Sequence, residues 1–152
     1  MRPSSLSAIV VLLTIALSDA ALKIYALGHF PSETAAPIAW PVALAVHRNP
    51  GIAFDIPIPL SIVLPITILI CGVFARLAFT HSHNNPKQSL AALAAVLGAL
   101  GNGIDRLING FTTDYLIFFR TSAINLSDVL ILLGIFGVLW YDKRIPNPDV
   151  SG

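Results

Sequence analysis

GALGNGIDRLINGFTTDYLIFFRTSAINLSD, residues 98–128, leaves one long apolar run and enters the next. Read as a helix as far as Asn109, it places Asn102, Asp105, Arg106 and Asn109 at i, i+3, i+4 and i+7, on a single face. Asn125 and Asp128, also three apart, open the following apolar run, and Asp114 lies in the short connection between. Polar groups are costly inside a bilayer and point into the protein or a water-filled cavity. A tight connection must bring both polar stripes to the same side of the membrane. The stretch therefore reads as a polar site built at a membrane surface.

Working outward, composition agrees with a membrane setting. Of 152 residues, 55% are hydrophobic and 11% charged, and mean hydropathy is +0.78. A soluble domain carries about 25% charged residues. The net charge of +1 gives no basis for nucleic-acid binding. Cys71 is the single cysteine, so an internal disulfide is excluded, and in an apolar run it serves as a small hydrophobe. No internal repeat or low-complexity tail is evident, and residues 1–152 read as one integral membrane domain.

A spanning helix needs roughly 20 mainly apolar residues. Candidate spans lie at about residues 6–27, 60–79, 90–108 and 123–141, the last somewhat short. Helices are expected because lipid offers no partner to unpaired backbone groups. The first segment also has the form of a cleavable signal peptide, with Met1-Arg2, an apolar core and Ser18-Asp19-Ala20. Asp19 sits where a small neutral residue is usual, and the apolar pattern continues to Leu27, which favours a span. In the outer loop, residues 28–59, Trp40 to Val46 is apolar, Arg48-Asn49-Pro50-Gly51 is a turn signal, and Ile52 to Ile56 alternates like a half-buried strand. The expected fold is an all-α membrane protein with four transmembrane helices and a small extracytoplasmic β-hairpin. Pro57, Pro59 and Pro65 predict an irregular entry into the second helix.

Basic residues set the orientation. Arg2, Arg76, Lys87, Lys143 and Arg144 fall on one side of a four-span chain. Arg48 and Arg120 fall on the other, with Lys23 and Arg106 near the helix ends there. This modest bias places both termini in the cytoplasm. Asp19, Lys23, Asn102, Asp105, Arg106, Asp114, Asn125 and Asp128 then gather at one depth near the outer surface, and the inner halves are nearly free of charge.

Two neighbouring carboxylates cannot both ionise cheaply and tend to share a proton. One can take a proton from water while the other donates to a substrate carbonyl, which is amide hydrolysis without a covalent intermediate. Asp105 is followed by Arg106, and an Asp tied to Arg suits a structural role. Asp114 and Asp128 have no basic residue within several positions and are the better proton-sharing pair. Against this stands helix–helix glue, the ordinary role of buried polar residues in membranes. Asp19 with Lys23, at i, i+4, fits that structural role better than a catalytic one. Asn102, Asp105 and Arg106 fit either, and Asn125 has the form of a helix cap.

Other signals are weak. His81-Ser82-His83 resembles a metal half-site but lacks an adjacent Cys or acidic partner, so no metal or cofactor is expected. His29 and His47 are isolated, and no GxSxG nucleophile motif occurs.

Several pieces, in order, resemble the signature of signal peptidase II, the lipoprotein signal peptidase family. They are Gly101-Asn102-Gly103-Ile104-Asp105-Arg106, Thr113-Asp114-Tyr115 and Asn125-Leu126-Ser127-Asp128. Asp19 through Lys23 resembles the family's Asp-x-x-x-Lys, and Asn49-Pro50-Gly51-Ile52-Ala53-Phe54 its Asn-x-Gly-Ala-Ala-Phe. The resemblance covers nearly the whole chain. It implies a multi-pass aspartic endopeptidase of the bacterial inner membrane, with its active site near the periplasmic face. Its substrates would be prolipoproteins cut before a diacylglyceryl-modified cysteine, and globomycin-type cyclic peptides would inhibit it. By the same resemblance Asp114 and Asp128 are the catalytic pair. Asn102, Asp105, Arg106 and Asn125 surround it, Asn49 and Gly51 help hold substrate, and Asp19 and Lys23 form the helix-one pair.

The chain departs from the family where Ser127 replaces an Ala, Ile124 a Phe or Tyr, and Ile52 the first Ala of the Gly-Ala-Ala-Phe piece. The connection from Asp114 to Asp128 also looks short. Two readings from other classes stand beside the protease. One is a small ion- or proton-conducting transporter subunit, which should carry ionisable groups across the whole bilayer. The other is a noncatalytic assembly protein. No heptad seam suggests oligomerisation, so a monomer in contact with membrane lipid is expected.

Overall fold

The computed structural model describes residues 3–34, 41–51, 56, 58–119 and 121–142. Among them the order is α1 (Pro3–His29), β1 (Val42–Asn49), α2 (Leu60–Thr80), α3 (Pro86–Asn109), β2 (Thr112–Phe118), β3 (Ser122–Ile124) and α4 (Leu126–Asp142). α1, α2 and α3 are each long and apolar enough to cross a membrane. α4 has 17 residues, about 25 Å at 1.5 Å per residue, against a hydrocarbon core of about 30 Å. Large apolar side chains such as Ile24, Ile68, Leu69, Leu132 and Phe136 face outward, as lipid-contacting residues do.

Small residues bring α3 and α4 together. A Cβ on Gly134 would lie 2.5 Å from the Ala95 nitrogen and 2.7 Å from the Ala91 carbonyl oxygen. The two backbones are thus in direct contact there, which only glycine permits. α3 begins at Pro86, with Asn85 capping it by accepting from the Gln88 N–H at 3.3 Å. It ends at Gly110, whose left-handed φ of 80° turns the chain into β2. At this capped end Gln88 is buried and donates to the Val138 carbonyl and the Asp142 carboxylate, satisfying groups at the C-terminus of α4.

The sheet is three-stranded and antiparallel, in the order β1-β2-β3. The expected local hairpin is corrected in part. Arg48 and Asn49, read as turn residues, lie within β1, and β1 pairs with β2 from the far end of the sequence. Of the expected second strand, Ile52 to Ile56, residues 52–55 lie outside the described residues, and Ile56 is not in a strand. The short connection carrying Asp114 is itself a strand, and β3 occupies residues assigned to the start of the last span, so α4 begins only at Leu126. A one-residue bulge between Leu44 and His47 shifts the β1–β2 register and sets His47 opposite Asp114.

Candidate active site

The polar face of α3 forms as the spacing requires. Asn102 and Asp105 are buried, and each turns to a different neighbour. The Asp105 carboxylate accepts from the Thr113 N–H at 2.7 Å, the Thr113 hydroxyl at 3.2 Å and the Asn109 side chain at 2.7 Å. The expected Asp105–Arg106 tie is corrected: Arg106 reaches away and donates to the Gly51 carbonyl at 2.8 Å. Consecutive residues on a helix point about 100° apart, so adjacency in sequence does not pair them. The cation near Asp105 is Lys23, at 3.6 Å.

Lys23 belongs to a buried network spanning α1, α3 and α4. Its ammonium lies 3.0 Å from Asp19 Oδ2 and donates to Asn102 Oδ1 at 2.7 Å. Asp19, 1% exposed, also accepts from the Tyr115 hydroxyl at 2.8 Å, the Leu126 N–H at 3.0 Å and the Ser127 hydroxyl at 2.6 Å. A carboxylate and an ammonium with this many partners meet the condition for burying charge. Burial, with the Asp19 bond adding to it, raises the Tyr115 phenol above its ordinary range and keeps it protonated as a donor.

β2 alternates strictly. Thr113 and Tyr115 serve the carboxylates of Asp105 and Asp19, while Asp114, between them, meets a different set. Asp114 Oδ1 accepts from the Asn125 side chain at 2.6 Å, and Oδ2 from Asn49 at 3.2 Å. Asn49 also accepts from the Gly51 N–H at 3.0 Å, which orders the chain just after β1. Asp128 stands in the first turn of α4. Its Oδ1 accepts from Asn102 at 2.7 Å and its Oδ2 from the Asn125 N–H at 3.1 Å. Asn125 Oδ1 in turn accepts from the Asp128 N–H at 3.0 Å, a reciprocal capping box. Fully buried Asn125 thus caps α4 and holds both carboxylates, that of Asp114 through its side-chain amide and that of Asp128 through its backbone N–H.

Burial and the Asp128 charge push the Asp114 carboxyl up to about 7, against the pull of its bonds from Asn49 and Asn125 and of nearby His47. Arg106 lies close enough to feel Asp128 and Asp114, and its Nε is buried without a hydrogen-bond partner among the described residues. The arrangement can therefore keep one proton on a carboxyl beside an anion and offer a cationic donor next to them. Among the described residues no three His, Cys, Asp or Glu side chains converge as a metal site.

Asn49, Asn102, Asn125, Asp114 and Asp128 are joined directly, Gly51 and Arg106 close one side, and Asp19, Lys23 and Asp105 support from behind. Sequence reasoning picked out Thr113-Asp114-Tyr115 as a motif but gave Thr113 and Tyr115 no role of their own, and it missed the role of Ser127. The β-branched and aromatic run Thr112–Phe118 was the available signal for a strand whose alternate residues face opposite ways. His47, read as isolated, lies 2.7 Å from Glu33.

A family model described as Signal peptidase (SPase) II matches residues 10–142. The lipoprotein signal peptidase of Bartonella tribocorum is 30% identical over 134 residues, covering 83% of this chain and 80% of that one. That of Azoarcus sp. is 37% identical over 84 residues, covering 52% of this chain and about half of that relative, 47%. A solved bacterial membrane enzyme, determined by the in meso method at 2.3 Å resolution, superposes with a TM-score of 0.77 at 20% identity, covering 96% of this chain and 94% of that one. That likeness speaks to the fold.

Proposed function

The chain belongs to the signal peptidase II family, and from that premise we propose how it cleaves signal peptides from prolipoproteins: as an aspartic endopeptidase whose catalytic pair is Asp114 and Asp128. One observation carries the assignment. Among the site's carboxylates, Asp19 and Asp105 are consumed by structural donors and Lys23. Asp114 and Asp128 share Asn125, and Asp114 is held near neutrality by burial and by Asp128.

In this reading the pair carries one proton. Asp128 accepts a proton from a water whose oxygen attacks the scissile carbonyl carbon, and Asp114 gives its proton to the carbonyl oxygen. The tetrahedral diol collapses as its C–N bond breaks. The departing nitrogen takes the proton that Asp128 received from the water, Asp114 regains a proton from a diol hydroxyl, and the new carboxyl group remains on the signal peptide, so one water is consumed per bond cut and the pair is restored. Arg106, whose guanidinium donates to the Gly51 carbonyl and lies near both carboxylates, stabilises charge developing on the substrate oxygen. Asn49 and Gly51 at the end of β1 hold the extended substrate chain.

The finer features of this reading are part of the same proposal. Residues 1–152 form one peptidase domain. α4 with flanking residues makes the fourth crossing, both termini are cytoplasmic, and the site lies at the periplasmic face of the bacterial inner membrane. The cut falls before a diacylglyceryl-modified cysteine, globomycin-type peptides inhibit, and the monomer works in contact with lipid. The transporter alternative has no support from the family. The test is to incubate the purified chain with a diacylated precursor and locate the cut by mass spectrometry. A product beginning at the modified cysteine is expected; an intact precursor, or a cut elsewhere, would refute the reading.

A further inference from the structure

Ser127 and Gly101 meet at the centre of the helix contacts. Ser127 is 1% exposed and its hydroxyl donates to Asp19 Oδ2 at 2.6 Å. A Cβ on Gly101 would sit 2.4 Å from that hydroxyl oxygen but 3.6 Å from the Ser127 Cβ and 3.7 Å from Asp19 Oδ2. The hydroxyl alone therefore fills the space that a side chain at position 101 would need.

The bond also belongs to a closed circuit. Asp19 Oδ2 faces the Lys23 ammonium at 3.0 Å, and Lys23 donates to Asn102 Oδ1 at 2.7 Å. An ammonium can only donate, so it fixes the Asn102 oxygen toward itself and the amide NH2 toward Asp128, where it bonds Oδ1 at 2.7 Å. Ser127 and Asp128 are consecutive in the first turn of α4, so the circuit returns to the helical turn where it began.

We propose that Ser127 is a positioning residue for Asp128, acting through Asp19, Lys23 and Asn102, and that its hydroxyl occupies the space that Gly101 leaves open. The inference rests on the reading of Asp128 as catalytic, and a substrate-free measurement separates the two.

The experiment is a double-mutant cycle on the full chain in detergent micelles, with S127A, G101A and G101A/S127A read by thermal unfolding and by steady-state cleavage of a diacylated lipopeptide. S127A is expected to lower kcat by about tenfold, the loss of one bond to a charged group, with KM changed by less than about twofold, as for an interaction that acts on the chemical step. G101A alone should unfold at lower temperature and lose at least as much kcat, because its methyl group drives the Ser127 hydroxyl off Asp19. In the double variant the methyl's remaining neighbours, the position-127 Cβ at 3.6 Å and Asp19 Oδ2 at 3.7 Å, are at ordinary contact distance, so melting should return to the S127A value and kcat should fall no further. Additive melting losses would overturn the Gly101–Ser127 pairing. An unchanged kcat in S127A, or a loss confined to KM, would overturn the positioning role. A wild-type chain that melts cooperatively but does not cleave would overturn the catalytic reading beneath it, and the positioning of Asp128 for catalysis with it. If G101A fails to fold at all, rescue by S127A is still expected, and a double variant that also fails would refute the pairing.

Discussion

Asn125→Ala removes the side chain that bonds the Asp114 carboxylate and the backbone N–H of Asp128. Two losses follow from its geometry. Its donation to Asp114 at 2.6 Å is a short bond to a carboxylate, of a kind that contributes about 1.5 to 3 kcal/mol. Its acceptance from the Asp128 N–H at 3.0 Å caps α4, and such caps contribute about 1 kcal/mol. The sign of the pH effect follows from the first. Asp114 holds its proton up to about pH 7, and the Asn125 bond favours the anion. Without the bond the protonated form persists to higher pH. In the proposed mechanism Asp114 is the proton donor, so activity is lost as pH rises through this titration. The alkaline limb of the kcat profile should therefore move upward by about one to two pH units, at 1.36 kcal/mol per unit. The assay is lipopeptide cleavage from about pH 5 to 9, fitted for both limbs, with melting temperature recorded in parallel. A limb that stays in place or moves downward would refute the assignment of the near-neutral proton to Asp114.

Other perturbations reach different parts of the site. Asp114 is harder to ionise in the folded chain, near 7, than at its ordinary value of 3.8. Its stabilising contribution is complete below the lower value and lost as pH rises through the higher. Asp114→Asn should thus melt higher than wild type at about pH 8, by the equivalent of a few kcal/mol, with the difference vanishing near pH 4; pH-dependent melting curves check this. Lys23→Met leaves Asp19 and Asp105 without their shared cation. It should cost about 3 to 5 kcal/mol, measured by chemical or thermal unfolding in micelles. Gly134→Ala puts a methyl group 2.5 Å from the Ala95 nitrogen, with no flexible atom to yield. Loss of α3–α4 packing should appear as lower melting temperature and protease sensitivity, while Gly28→Ala, which meets nothing within 4 Å, serves as the unaffected control.

Much of the site was legible because helices carry their geometry in their spacing. Asn102, Asp105 and Arg106 share a face by periodicity alone, and Asn125 with Asp128 has the three-residue offset of a capping box. What escaped depended on partners distant in sequence. Asn49 and Asp114 are 65 positions apart. The local Arg48-Asn49-Pro50-Gly51 turn signal pointed to a hairpin with the following residues, whereas β1 finds its edge on β2. The strand character of Thr112–Phe118 was available in its β-branched and aromatic residues, but a strand is fixed by pairing and burial more than by propensity. Asp105 next to Arg106 suggested a direct pair, whereas Arg106 turns its guanidinium to the Gly51 carbonyl. The cap that Gln88 places on α4 bridges 54 positions to Asp142, and no local rule announces it.

The central claim is that two carboxylates on β2 and α4, joined through Asn125, do the chemistry together. The direct measurement is cleavage of a diacylated precursor by Asp114→Asn and by Asp128→Asn, each confirmed as folded by its melting transition and normal membrane insertion. Loss of turnover in both, with folding retained, is the predicted result. Near wild-type cleavage by either folded variant would contradict the account.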